Sequence, residues 1–485
     1  MTSKVATAAI SFITIPLLLN YFGKSSYGVL TLALAVNAYM RMMDLGMNTG
    51  AIKFFAQWRS SGKQKLLEHV ARTSITFYTL IGLVNALILT LLMFRGQGLF
   101  NLSIGEFAEL KVLLGWMAVF SVITWVGTVF QQLLVAAEQV AFTQQIVFGR
   151  SLLELLAAVI TLKVGLSLNN YFVFFLSINT IPCLIYAWKC QHNHLISSWL
   201  PQQYWQEFRI VLSYSLGIFA MAFFQFSATQ SRPLILALFA SNAADILTEY
   251  RIIEVFPLFI LSLGGVILPI LLPRASQYVY RQDGEAIARL AYDGTLYTSV
   301  AVTLLCIPVM LCSQELLTFF VGTAYGNLGK WLVLWCGTIL LYLPNTPVAS
   351  LVLATGKFRM LVFSSALACI GSMICNALLC NRFGVGAAVI GYLFYIVVCQ
   401  LFYYLYFNRN VLHLDSWRIF KSFAVPAGLG LLLLPGCWLL GLLPFNIILL
   451  KAVSLLLFLI TYASCLHLFK IIDCKTILTE LKKRI

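Results

Sequence analysis

The sequence predicts an all-α polytopic membrane protein with about fourteen transmembrane helices. Three observations carry that reading. Residues 5 to 468 are almost continuously apolar and are cut by short polar connectors into blocks of helix-spanning length. The chain is 61% hydrophobic and 10% charged, against about 25% charged in soluble domains. Its mean hydropathy is +0.90. A bilayer core of ~30 Å needs ~20 apolar residues at 1.5 Å rise, and backbone groups in lipid must be satisfied within the segment, so the blocks read as helices.

In chain order the spans fall near 5–22, 28–52, 70–94, 111–135, 146–164, 170–188, 210–238, 250–272, 294–313, 331–353, 358–379, 384–407, 422–441 and 446–468. The first block follows Lys4 as a signal peptide would, yet Pro16 and the absence of a small-x-small cleavage site make it a retained helix. No block leaves room for a soluble domain. The expected organisation is a six-helix lobe over 1–205, a second over 206–410, and two further helices with a basic tail over 411–485.

Lys and Arg outnumber Asp and Glu by 32 to 17, which in a soluble protein would suggest nucleic acid; here the placement of the charges matters more. With the N-terminus inside, the inner connectors and tails hold twenty Lys or Arg, including Lys53, Arg59, Lys63, Arg281, Arg289 and Lys482 to Arg484. The opposite connectors hold six: Lys24, Arg95, Lys111, Lys163, Lys330 and Arg382. The positive-inside rule then places both termini in the cytoplasm and makes the span count even. The tail at Lys482 to Arg484 reads as a lipid-headgroup contact, with no nucleic-acid role.

Three local patterns read as structural. The twelve cysteines begin at Cys183, contain no C-x-x-C pair and sit mostly inside spans, so they are small core residues. His192 and His194 lack further ligands at metal spacing, so no metal is expected. Gly23-Lys24-Ser25 resembles the end of a phosphate loop, but position 18, where that motif needs Gly, is Leu. No cofactor is expected, and any energy input would be a coupled proton or sodium ion.

An internal repeat runs through the chain. Pro16 to Phe22 (PLLLNYF) matches Pro233 to Phe239 (PLILALF), Asp44-Leu45-Gly46 matches Ser262-Leu263-Gly264, the basic loop at Gly62 matches that at Gly284, and Tyr78-Thr79 matches Tyr297-Thr298, at offsets near 217 to 222. If span one corresponds to span seven, the halves share one orientation about an axis along the membrane normal, an arrangement suited to alternating access.

The run Tyr21-Phe22-Gly23-Lys24-Ser25-Ser26-Tyr27-Gly28 after the first span, followed by Asp44-Leu45-Gly46 and a basic loop, resembles the opening of the Wzx-type O-antigen flippases. These are polysaccharide transporters of the multidrug/oligosaccharidyl-lipid/polysaccharide (MOP) exporter superfamily. The resemblance covers the chain in length and span count. It implies a bacterial inner-membrane protein that moves undecaprenyl-pyrophosphate-linked oligosaccharide to the periplasmic leaflet. Its implied partners are membrane lipids, a glycan polymerase and a chain-length regulator. The stretch ahead of span one is shorter than the family pattern.

Such cargo needs a wet, cationic cavity, so arginines at membrane depth are the expected clue, because charge there is costly and normally faces a cavity. Arg41 and Asp44 share a helical face of span two and could pair with each other or divide between ligand and counter-ion. Arg150 and Glu154 lie at i, i+4 in span five, where snorkelling is the alternative. Arg232 precedes Pro233 in the outer half of span seven, in a stretch that also carries Gln225 and Gln230, which suits either an anion site beside a broken helix or a kink with Arg232 reaching headgroups. Arg251 and Glu254 open span eight near Asp245 and Glu249, as a gate or an interfacial cluster. Lys451 is expected to snorkel outward. The aromatic residues of span twelve, Tyr392 and Tyr395 among them, could stack on sugar rings but more commonly serve packing.

Three functions compete. A lipid-linked oligosaccharide flippase fits the cationic excess. A multidrug or lipid II exporter shares the architecture, but a drug-cation exporter would carry uncompensated acids, whereas each deep acid here has an Arg within four residues. A membrane-embedded glycan polymerase or ligase would need a substantial loop with acids or His, and no outer connector exceeds roughly twenty residues. The chain therefore reads as a transporter and not an enzyme.

Overall fold

The computed structural model describes residues 2–264, 267–357, 359–440 and 447–468, so the basic tail at Lys482 to Arg484 lies outside the described residues. All described secondary structure is helical. In chain order the helices are α1 (Thr2–Met40), α2 (Met47–Ser60), α3 (Gln64–Arg95), α4 (Ile104–Ala136), α5 (Val140–Val164), α6 (Leu168–His192), α7 (Trp205–Phe239), α8 (Ala243–Gly264) and α9 (Ile267–Tyr280). They continue as α10 (Gly284–Leu311), α11 (Ser313–Val321), α12 (Gly329–Tyr342), α13 (Thr346–Ala354), α14 (Arg359–Phe383), α15 (Val385–Phe402), α16 (Ser416–Leu440) and α17 (Ile447–Leu468). Among the described residues nine are long and apolar enough to cross a membrane, ten if the bent α7 counts as one span.

Among the described residues the apolar blocks are helical, but boundaries differ from the sequence reading: span eight covers the end of α8 and the start of α9, span ten is divided into α12 and α13 by a 3₁₀ turn at Leu343–Asn345, and the first two spans differ as follows. The first two blocks run together as α1, broken at Gly23, whose φ of 81° and ψ of 171° are outside the helical region. The second block does not run through to residue 52: a 3₁₀ turn at Arg41–Asp44 and a left-handed pair, Leu45 and Gly46, separate α1 from α2.

The sequence repeat has a counterpart in the turns. Left-handed residues recur 218 to 220 positions apart: Gly62 with Gln282, Glu138 with Gly356, Gly165 with Gly384, and His194 with His413. The first pair shares a hydrogen-bond pattern. Ser61 N, Gly62 N and Lys63 N donate to the carbonyls of Gln57, Arg59 and Trp58, while Arg281 N, Gln282 N and Asp283 N donate to those of Gln277, Val279 and Tyr278. Each closes a 14-residue helix, α2 or α9, before a long one begins. The same turn chemistry thus recurs at one spacing through both halves of the chain.

By contact the chain divides into two compact units, residues 1–255 with 359–395, and residues 256–358 with 396–485. In the first, α3 presents Leu80, Leu83, Leu87, Leu91 and Phe94 as an exposed stripe at helical spacing, the signature of a lipid-facing side. Its other face joins a core that includes Tyr78, Trp125, Phe55 and Phe208. Small residues let backbones close on each other: a Cβ at Gly28 would overlap the Ala244 carbonyl oxygen, and one at Gly127 would overlap Cys183.

In the second unit α10 packs on α16, with Ser299 Oγ donating to the Phe423 carbonyl at 2.9 Å, and Tyr462 of α17 donates to the Pro426 carbonyl at 3.2 Å. Here one expectation is corrected. Lys451 does not reach outward; its ammonium bonds Glu315 at 3.1 Å and the Leu311 carbonyl at 2.9 Å. A carboxylate on α11, far along the chain, offers a better partner than headgroups do.

Candidate functional site

All seven residues singled out in the sequence belong to the first unit. The break after α1 explains the first two. Asp44 ends the 3₁₀ turn, and its Oδ2 accepts the Asn48 backbone N–H at 3.0 Å, satisfying a donor at the start of α2. Its other oxygen takes the Tyr78 hydroxyl at 2.5 Å, and that hydroxyl in turn accepts from Gln132 Nε2 at 2.8 Å. The expected pairing with Arg41 is therefore not made, because the Asp44 carboxylate is committed to α2 and α3. Arg41 is exposed and has no carboxylate partner among the described residues. The charge acting on it is that of Arg150 on α5.

Arg150 bridges to Glu154 at 3.4 Å, as the i, i+4 spacing predicts, and Asn179 Nδ2 donates to the same Glu154 oxygen at 3.1 Å. Glu154 then faces a cavity of about 170 Å³ whose polar walls are Thr14, Tyr27 and Thr31 of α1, Ser151 of α5, Tyr171 of α6 and Arg251 of α8. Arg251 shares a hydrogen bond with the Tyr27 hydroxyl and bridges to Glu254 at 2.8 Å. Tyr250 donates to the other Glu254 oxygen at 2.9 Å. One acid thus anchors two donors.

Arg232 follows from its proline. Pro233 has no N–H, which frees the Thr229 carbonyl four residues earlier; Arg232 folds back and donates its Nε to that carbonyl at 3.1 Å. Its guanidinium lies 4.2 Å from the Tyr392 ring centroid, and Asn376 Nδ2 reaches the Arg232 carbonyl at 3.4 Å. The side chain is 7% exposed, so it does not extend to headgroups. The aromatic residue of span twelve serves here as a cation–π platform.

The acids expected near Arg251 divide into two groups. Asp245 and Glu249 instead hold Lys24, at 3.6 and 2.8 Å, and Thr248 donates to the Lys24 carbonyl at 2.6 Å. Ser25 and Ser26 donate to Glu106 and Glu109 of α4, and Tyr21 to the Leu166 carbonyl. The residues around the break at Gly23, inside α1, thus hold the starts of α4 and α8 and the connector before α6, on the side that the charge asymmetry reads as outer.

Arg150–Glu154 and Arg251–Glu254 meet at the cavity that Glu154 and Arg251 share; Arg232 adds its charge through Tyr250 and Arg41 through Arg150, while Asp44 is taken up by Tyr78 and Asn48. Four arginines stand against three carboxylates in this strip, and two of the arginines are ion-paired within it. Sequence reasoning missed its hydroxyls, Tyr27, Tyr78, Tyr171 and Tyr250. The i, i+4 spacing of Tyr250 and Glu254 was the available signal; nothing local marks Tyr78 as the partner of Asp44.

No protein-family model and no curated protein matches the sequence. Solved structures do. The chain is similar to one described as the lipid II flippase MurJ in an inward closed conformation, with a TM-score of 0.72 and 12% identity over 96% of this chain and 99% of that one. It is similar to an inward-facing multidrug resistance MATE family transporter of the MOP superfamily, at 0.66 and 11% over 81% and 92%. It is also similar to a MOP superfamily transporter from Pyrococcus furiosus, at 0.54 and 12% over 87% and 96%. At these identities the likeness is one of fold: the chain has the fold of MOP-type transporters.

Proposed function

We propose that this protein is a flippase that moves undecaprenyl-pyrophosphate-linked oligosaccharide repeat units across a bacterial inner membrane by alternating access, supplying O-antigen, capsule or exopolysaccharide assembly. The observation that carries the reading is Arg41, an exposed guanidinium with no carboxylate partner among the described residues and within electrostatic reach of a second arginine, Arg150. Two like charges acting on each other repel, and an anion that bridges them relieves that cost. A pyrophosphate offers oxygens to both, and a guanidinium fork meets phosphate bidentately. Glu154 keeps Arg150 oriented while the site is empty. The hydroxyl-rich cavity next to Glu154 offers hydrogen bonds to a sugar.

The coupling ion is proposed to be a proton or sodium, and a glycan polymerase and a chain-length regulator are the proposed partners. A second reading is export of lipid II, favoured by the near-complete coverage of a structure described as a lipid II flippase. The drug-cation reading is disfavoured because no acid of the strip is without a partner: Asp44 holds Tyr78, Glu154 holds Arg150, and Glu254 holds Arg251.

The test is reconstitution of the purified protein into vesicles carrying a fluorescent polyprenyl-pyrophosphate oligosaccharide, with headgroup exposure read by an impermeant quencher. The proposal expects protein-dependent translocation, faster for a repeat-unit glycan than for lipid II. Faster lipid II movement selects the second reading, and movement of neither cargo refutes both.

A further inference from the structure

We infer that the second unit carries a separate binding site for the phosphodiester headgroup of a membrane phospholipid. A cavity of about 540 Å³, within the range of small-molecule sites, lies among the end of α10, α11, the start of α12, α16 and Lys451 of α17. It adjoins the partly exposed segment 322–328, which lies between α11 and α12 in the connector read between spans nine and ten, so it sits toward an end of the spanning helices.

Its walls differ in chemistry. Met310, Val333, Leu434 and Pro435 give an apolar side. Facing them are polar groups whose bonding capacity is unspent among the described residues. Lys451 uses two of three N–H donors, on Glu315 and the Leu311 carbonyl; the third has no acceptor. Lys330 is exposed, touches only the Trp331 ring, at 5.4 Å from its centroid, and has no carboxylate partner. The side chains of Gln314 and Asn327 line the same space without a hydrogen-bond partner.

Two ammonium groups against one carboxylate, with two amide donors between them, suit a singly charged phosphate. Lys451, which is 14% exposed, is held by Glu315 in the wall of the same cavity. Only an amphiphile uses both sides of the cavity: free phosphate would leave the apolar wall unused, and a hydrocarbon would leave the donors unpaired. The site is independent of the transport reading, since none of its residues belongs to the arginine strip.

The test uses the full chain, stripped of lipid in detergent, with binding of dioleoyl phosphatidylglycerol followed by native mass spectrometry. One saturable copy is expected. Lys330→Ala, an exposed change that leaves folding intact, should weaken it at least tenfold, and so should the pair Lys451→Met with Glu315→Gln, which removes both charges together. Lys163→Ala, a basic residue elsewhere, should leave it unchanged. Unaltered binding in the first two variants overturns the assignment. So does displacement of the lipid by inorganic phosphate at equal concentration, which would mark a free-anion site, or by undecaprenyl phosphate, which would mark a cargo site.

Discussion

Removal of the Glu254 carboxylate tests whether the arginine strip is held by its acids. The Arg251–Glu254 separation is 2.8 Å, which gives a gross attraction of about 6 kcal/mol at an effective dielectric of 20. Desolvation cancels most of that, and the side chains are still 30% and 16% exposed, so we expect a net coupling of only about 1–2 kcal/mol. Glu254→Ala alone does more damage. It strands the Arg251 guanidinium and removes the acceptor of the Tyr250 hydroxyl at 2.9 Å, together costing about 3 kcal/mol. Arg251→Ala should cost less, because Tyr250 keeps its acceptor. The assay is an SDS-unfolding titration of both single variants and the double variant in one detergent. The double should be less destabilised than the sum of the singles by the coupling energy. A coupling within about 0.5 kcal/mol of zero would refute the view that this pair organises the site.

Gly28→Ala should destabilise the first unit by about 1–3 kcal/mol, because the new Cβ meets the Ala244 backbone, which cannot rotate away; the same titration reads it. The repeated turns predict opposite outcomes at equivalent positions: Gly62→Ala should cost about 1 kcal/mol, while Gln282→Gly should be neutral or stabilising by a similar amount, since both residues are left-handed. Equal effects of the same sign would break that equivalence. A cysteine introduced at Ser61 should resist an impermeant thiol reagent in intact cells and react after permeabilisation, as the lysine and arginine asymmetry requires.

The helices were legible because lipid leaves the backbone no alternative, and period and length alone mark them. The local ion pairs were legible too, since Arg150 with Glu154 and Arg251 with Glu254 follow helical spacing. What could not be read was chemistry that joins distant segments. Asp44 abandons Arg41 for Tyr78 because the chain leaves the helix at Leu45 and Gly46; Arg41, Asp44 and Gly46 interrupt the apolar run there, but nothing local says that the interruption is a break and not a polar face of a continuous helix. Lys24 meets Glu249 across 225 residues, and Lys451 meets Glu315 in the second unit, for the same reason. Arg232 lies between these cases. The proline marked a freed carbonyl, but which cation would take it, and on which ring it would rest, only the tertiary arrangement decides.

The most direct test of the central claim is the translocation rate of the polyprenyl-pyrophosphate oligosaccharide in vesicles containing wild-type protein, Arg41→Lys or Arg41→Ala at equal reconstituted amounts. Losing a bidentate charge-assisted bond to phosphate is worth about 1.5–3 kcal/mol, or roughly a tenfold to hundredfold fall in rate. Lys should rescue little of it, because a point charge cannot reproduce the planar fork. Both variants are expected to slow together while their unfolding midpoints stay near wild type, since Arg41 has no ion-pair partner among the described residues to lose. Wild-type rates in both variants, or full rescue by Lys, would contradict the assignment of Arg41 to the pyrophosphate.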